Sequence, residues 1–442
     1  MSLVKRSIRG VFGPTRVGMT AFIRQLFERF KRDSLFQNSV YLMLSTAVMA
    51  GFGFIFWIIA ARAYPPEQVG YATALISVTI LLSNLSLLGF NSSLIRYLPK
   101  ATNPNLTINT SIITVGIATI VISGGYLVGI DHFGPAFKQL AHNPTFASLF
   151  LIFMVMVSVN TLTDSVFIAY RSSKYNFLTY LYFGLTKICL PLLLVRFAAY
   201  GVFFSYTGAV TVSLILSFYF MVKHFKYKFR WTFEKATTAQ MAKFSLANYL
   251  ATFLSGFPIL IMPTLIIGKL GAPSAAYYYM ATTIVGLLYI VPQATTQSLF
   301  AEGSNNENEI MAFVKSAAKL ITMLTLPCGI VIILLGRYIL LVFGRSYAQH
   351  SFQLLEIMVL TGVFLSANLI GSAIMKVRHQ IMELIYVNIG YLIATMILAV
   401  LLLKYGLLGI GWALFGGQVF VCLEYLWILP KLLHGTQEKR TV

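Results

Sequence analysis

Charged side chains inside long apolar runs are the first places to look for chemistry in this chain. Asp164 and Lys187 stand in two neighbouring runs, and Glu424 stands in the last. An ionised group at the centre of a bilayer costs about 2.5–3.5 kcal/mol on insertion scales, so such groups face a pathway or one another. Two readings of Asp164 and Lys187 follow. Lys187 touches an anionic group while Asp164 acts as gate or proton carrier, or the two neutralise each other as a buried ion pair. Glu424 is the deepest carboxyl of the C-terminal half, and Glu356 and Glu383 lie nearer the ends of their runs. A desolvated carboxyl of this kind couples a proton or a sodium ion, or it is held by a hydrogen bond to a neighbouring helix. Arg62, Arg96, Arg171 and Lys269 cap the runs. There they bind anions, or they set topology and snorkel to the interface.

The elements that must position these groups follow from composition. The 442 residues are 58% hydrophobic and only 10% charged, with a mean hydropathy of +0.79. A soluble domain carries about 25% charged residues, so a soluble enzyme is excluded. A spanning helix needs about 20 apolar residues. Runs of that kind fall near 35–61, 69–98, 107–130, 146–170, 175–199, 201–223, 241–268, 274–300, 310–335, 351–377, 381–403 and 407–432. Cys189, Cys328 and Cys422 lie inside them, without metal spacing or a disulfide framework.

The net charge of +20 could suggest a nucleic-acid partner. Its placement argues against one, because the bases flank apolar runs. On the side of the termini the Lys and Arg residues number 23, and on the other side 7. That bias predicts both termini in the cytoplasm. Within 17–32, Phe22, Leu26 and Phe30 recur every fourth residue among arginines, which suggests an interfacial amphipathic helix. The expected organisation is a basic cytoplasmic arm over 1–34, an N-lobe over 35–223, a cytoplasmic linker over 224–240, a C-lobe over 241–432 and a tail over 433–442. Sliding one half onto the other by 207 residues sets Arg62 on Lys269, Pro66 on Pro273, Tyr71 on Tyr278 and Arg171 on Arg378. A further shift of two sets Tyr200-Gly201 on Tyr405-Gly406. Six runs per half give both halves the same orientation, with a site between lobes.

The stretch WIIAARAYPPEQVGYATALISVTILLSNLSLLGFNSSLIRYLP, residues 57–99, resembles the first hairpin of the polysaccharide flippases, of the O-antigen and exopolysaccharide type. These belong to the multidrug/oligosaccharidyl-lipid/polysaccharide exporter superfamily. LLVFGRSYAQ at 340–349 and KYGLLGIGWALFGG at 404–417 are similar to that family too. The resemblance implies an all-α polytopic membrane protein with 12 transmembrane helices in two pseudo-symmetric six-helix lobes, MATE-like. It implies a flippase rather than an enzyme, located in the bacterial inner membrane. The cargo would be an undecaprenyl-diphosphate-linked oligosaccharide moved from the inner to the outer leaflet by alternating access. Membrane lipids, a polysaccharide polymerase and a chain-length regulator would be its partners.

On this reading Lys187, Arg62, Arg96, Arg171 and Lys269 contact the diphosphate, Arg by bidentate bonds and Lys as a point charge. Asp164, Glu424, Glu356 and Glu383 carry the coupling sodium ion or proton, and no cofactor or metal is expected. Tyr277, Tyr278 and Tyr279 offer faces to sugar rings, or belong to an interfacial belt. A cation-coupled multidrug exporter of the same fold is the alternative, although cationic drugs favour acidic pockets. A membrane glycosyl- or acyltransferase fits less well, since the longest outer loop, near 131–145, is short. No G-x-x-x-x-G-K-[ST] phosphate loop is present.

The charge bias sets a direct test of topology. In a background lacking Cys189, Cys328 and Cys422, Arg230→Cys should react with an impermeant thiol reagent only from the cytoplasmic side. Labelling from outside would invert the arrangement.

Overall fold

The computed structural model describes residues 34–306 and 309–438, and the expected amphipathic helix at 17–32 lies outside them. Every regular element among the described residues is helical. Eleven stretches are long and apolar enough to cross a bilayer, and the last, Ile381–Ile428, holds 48 residues. One crossing takes about 20 residues. This stretch is broken by a 3-10 turn at Leu403–Tyr405 and by Gly406 at φ +66°. It is therefore two crossings, and the described chain makes twelve.

They are α1 (Ser34–Ala63), α2 (Pro66–Leu87), α3 (Pro104–Val128), α4 (Pro144–Ala169), α5 (Lys174–Leu193) and α6 (Ala198–Phe225). The second half supplies α7 (Lys235–Leu270), α8 (Ala272–Asn305), α9 (Ile310–Leu341), α10 (Phe352–Val377), α11 (Ile381–Leu402) and α12 (Gly406–Glu438). A spanning segment in hydrocarbon must satisfy its own backbone, which a helix does. Starts are marked by proline at the first helical position of α2, α3 and α4, where no N–H is needed. Asn103 and Asn143 cap α3 and α4 by accepting the next free N–H groups.

Three boundaries differ from the hydropathy reading. The run 69–98 is not one helix. Leu88 and Gly89 adopt φ of 49° and 81°, and a short helix, Phe90–Tyr97, follows. The helix of α8 runs past 300 to Asn305. The linker is shorter than 224–240, because α6 ends at Phe225 and α7 begins at Lys235. What remains is an extended strap tied to the start of α3. The Tyr227 hydroxyl donates to Asn109 Oδ1 at 2.5 Å, the Asn109 amide donates to the Lys228 carbonyl at 3.2 Å, and Lys228 N–H donates to Asn105 Oδ1 at 3.2 Å.

The repeat is written in the backbone. Arg171 and His379 both sit at positive φ, 51° and 57°. Beside them Ser172 N–H donates to the Phe167 carbonyl, and Gln380 N–H to the Met375 carbonyl, each at 2.9 Å. Ala198 (φ 51°, ψ −133°) and Gly406 (φ 66°, ψ −142°) follow the 3-10 turns at Val195–Phe197 and Leu403–Tyr405. Gly201 and Gly409 press against the carbonyls of Leu194 and Leu402. Each pair is 208 residues apart. The register read from sequence therefore needs correction over this region. Arg171 corresponds to His379 rather than Arg378, and Gly201 to Gly409 rather than Gly406. Chance Tyr-Gly identity had outweighed backbone role.

The two lobes meet through α2, which packs on both α7 and α8. One end of the molecule carries the strap, and we call it the linker end; the opposite one is the far end. Near the far end a side chain at Gly70 would overlap the Ala272 carbonyl oxygen, so α2 and α8 touch backbone to backbone, as small residues allow in membranes. Gly70→Ala should therefore lower the melting temperature, by an overpacking cost of about 1–3 kcal/mol. Gly51→Ala, which meets nothing within 4 Å, should leave it unchanged or raise it. Equal effects of the two would show that this backbone contact is not made.

Candidate functional site

Lys187 stands about two-thirds of the way along α5, toward its far end, 8% exposed. Four aromatic rings surround its ammonium. Nζ lies 4.3 Å from the Phe56 ring centre, 5.3 Å from Tyr206, 5.5 Å from Phe183 and 5.9 Å from Trp57. Phe183 precedes Lys187 by four residues and so shares its helix face. Phe56 and Trp57 come from α1, and Tyr206 from α6. A desolvated cation over a ring face gains about 2 kcal/mol. The cage thus offsets part of the cost of burying the charge, without a carboxylate.

The cage reaches across the molecule. Trp57 tilts against Tyr279 of α8 with ring centres 4.6 Å apart, and Phe54 of α1 packs edge-on against Phe343 at 5.3 Å. Lys187 is therefore one ring away from the C-lobe.

Asp164 does not pair with Lys187. The Tyr180 hydroxyl donates to Asp164 Oδ2 at 2.9 Å, and the Asn176 amide donates to the Asp164 carbonyl at 3.3 Å. Tyr180 is seven residues before Lys187 on α5, a rise of about 10 Å. That separation in depth is why the expected neutralising ion pair does not form. Glu424 lies against Gly390 at the α11–α12 contact, with Oε2 buried and without a partner. Glu356 and Glu383 are partly exposed on α10 and α11.

The other basic candidates do not gather around Lys187. Arg62 and Lys269 end α1 and α7 at the far end, whereas Arg96 and Arg171 lie at the linker end. Arg62 spends its guanidinium on the opposite lobe. Nε donates to the Val342 carbonyl at 2.8 Å and Nη2 to the Leu341 carbonyl at 2.7 Å. These carbonyls end α9, where a cation also meets the negative pole of the helix. Lys269 and Arg171 are exposed.

In the C-lobe the position matching Lys187 is Thr395, and that matching Phe183 is Tyr391, each 208 residues on. Both are buried. Beside them the Asn368 amide donates to Gln418, to Oε1 at 2.7 Å and to the carbonyl at 2.8 Å. The two lobes hold polar centres at one repeat position, cationic in the first and neutral in the second.

The aromatic cage, the Arg62 latch and the Asn368–Gln418 pair all escaped the sequence reading. Phe183 at four residues from Lys187 was the one available signal. The rings of α1 and α6 are brought in only by tertiary packing.

Comparison with known proteins decides the family. The family model for polysaccharide biosynthesis proteins matches residues 35–300. The chain belongs to that family. Its fold is that of the MATE and MOP transporters. A structure described as the inward-facing conformation of a multidrug resistance MATE family transporter of the MOP superfamily is 14% identical. The match covers 92% of this chain and all of the other, with a TM-score of 0.70. The outward-facing conformation of a transporter so described is 15% identical over 89% and 94% of the two chains, with a TM-score of 0.61. A MOP superfamily transporter from Pyrococcus furiosus Vc1, reported to have a binding pocket of reverse polarity that suggests a different function, is also 15% identical over 89% and 94%, with a TM-score of 0.62. No curated protein sequence matches the chain. Family and fold point to a multi-pass membrane transporter linked to polysaccharide synthesis rather than to a catalyst.

The latch makes its own prediction. Ala276 is fully buried in the contact of α2 with α8, against Gly70, near the same far end of the molecule. In an otherwise cysteine-free chain, Ala276→Cys should be nearly inert to thiol reagents and should become reactive when Arg62→Ala is added. Arg62→Lys, which keeps the charge but loses the fork, should give an intermediate rate. No change in labelling would show that the latch does not hold the lobes together.

Proposed function

We propose that this family member is a flippase. It moves an oligosaccharide linked to a polyprenyl diphosphate from the inner to the outer leaflet of the bacterial inner membrane, for surface polysaccharide synthesis. The observation that carries the reading is Lys187. It is a cation deep in a transporter of this family, with an aromatic cage and, among the described residues, no acidic partner. An anionic headgroup leaving the water-facing leaflet needs such a counter-charge, and a charge-assisted contact to phosphate is about twice as strong as a neutral hydrogen bond. A cationic drug would meet repulsion at the same point, which disfavours the multidrug alternative.

Alternating access fits the same geometry. The lobes join through α2, α7 and α8, and at the far end they are latched by Arg62 and by Trp57 against Tyr279. Opening there and closing at the linker end would present Lys187 to the opposite leaflet. The strap and both termini lie on the cytoplasmic side in this reading. The enzymes that polymerise the flipped unit and set chain length are the partners it implies.

Lys187→Gln should abolish polymer output in cells while leaving membrane abundance intact, and Lys187→Arg should retain a substantial part. Because no ion pair joins Lys187 to Asp164, adding Asp164→Asn should not rescue Lys187→Gln. Full polymer output in a well-folded Lys187→Gln chain, or rescue in the double variant, would remove Lys187 as the headgroup contact.

A further inference from the structure

The strap between the lobes is tied at both ends and uncovered in the middle. Tyr227, which is buried, and Lys228 bond to Asn109 and Asn105 in the first two turns of α3. At the other end Glu234 N–H donates to Thr110 Oγ1 at 3.3 Å. Between these ties the chain bends sharply. Thr232 N–H donates to the Arg230 carbonyl at 2.7 Å, which closes a three-residue turn with Trp231 at its apex. Trp231 is 83% exposed, and Phe229 and Phe233 on either side are exposed as well. The Phe229 and Trp231 rings meet edge-on, with centres 5.3 Å apart. Exposed bases surround this tip: Lys226 and Lys228 before it, Arg230 within it and Lys235 after it. Glu234 is the one acidic residue between 226 and 235.

We infer that Phe229, Trp231 and Phe233, with the bases around them, form a docking site for an anionic phospholipid surface. Depth, composition and charge each select this partner. α6 has 28 residues, a rise of about 42 Å, and a bilayer with its headgroup layers is about 40–45 Å thick. A chain leaving α6 at Phe225 is therefore at headgroup level. The ties to the first turns of α3 hold it there and stop it from projecting into water. Aromatic rings favour the boundary between hydrocarbon and water, and Lys and Arg beside them meet lipid phosphate, so this composition is that of a surface-bound segment. A basic cluster next to a crossing is drawn to an anionic leaflet by the field at its surface. The chain's own N-terminal arm makes a poor cover for the strap. It holds eight Lys and Arg residues against Glu28 and Asp33, and like charges repel. The site stands apart from the transport reading, because it takes bulk lipid and not cargo.

The test uses the purified full-length chain with Thr232→Cys as its only cysteine, carrying an environment-sensitive fluorophore. The chain is placed in nanodiscs of phosphatidylcholine alone or mixed with phosphatidylglycerol, with no glycolipid present. Emission should shift to the blue in the anionic discs and stay that of a water-exposed dye in the zwitterionic ones. At about 1 M salt, where the Debye length is about 3 Å, the shift should be lost. Replacing Lys226, Lys228 and Arg230 together by Gln should abolish it too, and Trp231→Ala should reduce it. All four side chains are exposed, so these variants keep the fold. Equal emission in the two kinds of disc would overturn the site. A dye already shielded in phosphatidylcholine would overturn it in favour of cover by the N-terminal arm. A shift that survives both salt and the Gln variant would remove the anionic partner. Transport enters none of these readings: a chain that binds anionic discs without flipping glycan leaves the site standing, and flipping without a shift leaves the flippase standing.

Discussion

Hydrocarbon gives a polar group no partner, and the arrangement of this molecule follows from that constraint. Helices satisfy their own backbones, which accounts for the absence of any other regular element among the described residues. Hydroxyl side chains meet the same demand by bonding back one turn, as Ser77 does to Thr73, Thr79 to Leu75 and Ser86 to Leu82. This lets α2 carry Thr73, Ser77, Thr79, Ser83 and Ser86 and still pass through the middle of the protein. Its most apolar window is 78% buried, against 17% for that of α1. This hydroxyl-rich crossing is thus the one with least lipid around it, and it is the element on which both lobes pack.

Charge is under stricter control than hydroxyl. Lys187 and Asp164 are both deep in the N-lobe, yet each has found a different answer. The ammonium sits among ring faces, and the carboxylate takes a tyrosine hydroxyl. The repeat sharpens the contrast. At the matching C-lobe position Thr395 replaces Lys187 and Tyr391 replaces Phe183, and the neighbouring polar groups are the amides Asn368 and Gln418. One backbone plan therefore carries a cationic centre in one half and a neutral one in the other. On the flippase reading, a pathway between such lobes would be electrically lopsided, a property that a headgroup with charge at one end could exploit.

Much of the fold was legible before any coordinates, and the reasons are physical. Apolar length marks crossings because the bilayer sets one thickness, so twelve runs became twelve helices. The break at Leu88–Gly89 was hidden because hydropathy does not report backbone sign, and Leu88 is an unlikely residue at positive φ. The register of the repeat was misread by one residue at Arg171 and by three at Gly201, since side-chain identity there is weaker than the shared turn geometry. At the site, depth in the membrane picked out Lys187 and Asp164 as singular. It could not say that they stand about two turns apart, or that rings from α1 and α6 would close around the ammonium. Arg62 was read as a headgroup contact or topology signal. Its bonds to Leu341 and Val342 depend on two segments 280 residues apart, a separation that only the folded chain removes.

The cage around Lys187 does two jobs that pull against each other. Its rings stabilise the ammonium in the absence of an anion, by about 2 kcal/mol for a desolvated face. One of them, Trp57, also closes the far end through Tyr279. A phosphate oxygen reaching Lys187 offers a charge-assisted bond that competes with the ring faces for the same ammonium. Moving Nζ even slightly toward such an oxygen removes part of what holds Phe56 and Trp57 in place on α1, the helix whose last turn carries the Arg62 latch. Charge recognition and lobe contact are thus built on one short stretch, Phe56 to Arg62. On the flippase reading, an anion at Lys187 and the lobe contact at the far end would be coupled through side chains about two turns apart on α1, with no need for a longer pathway.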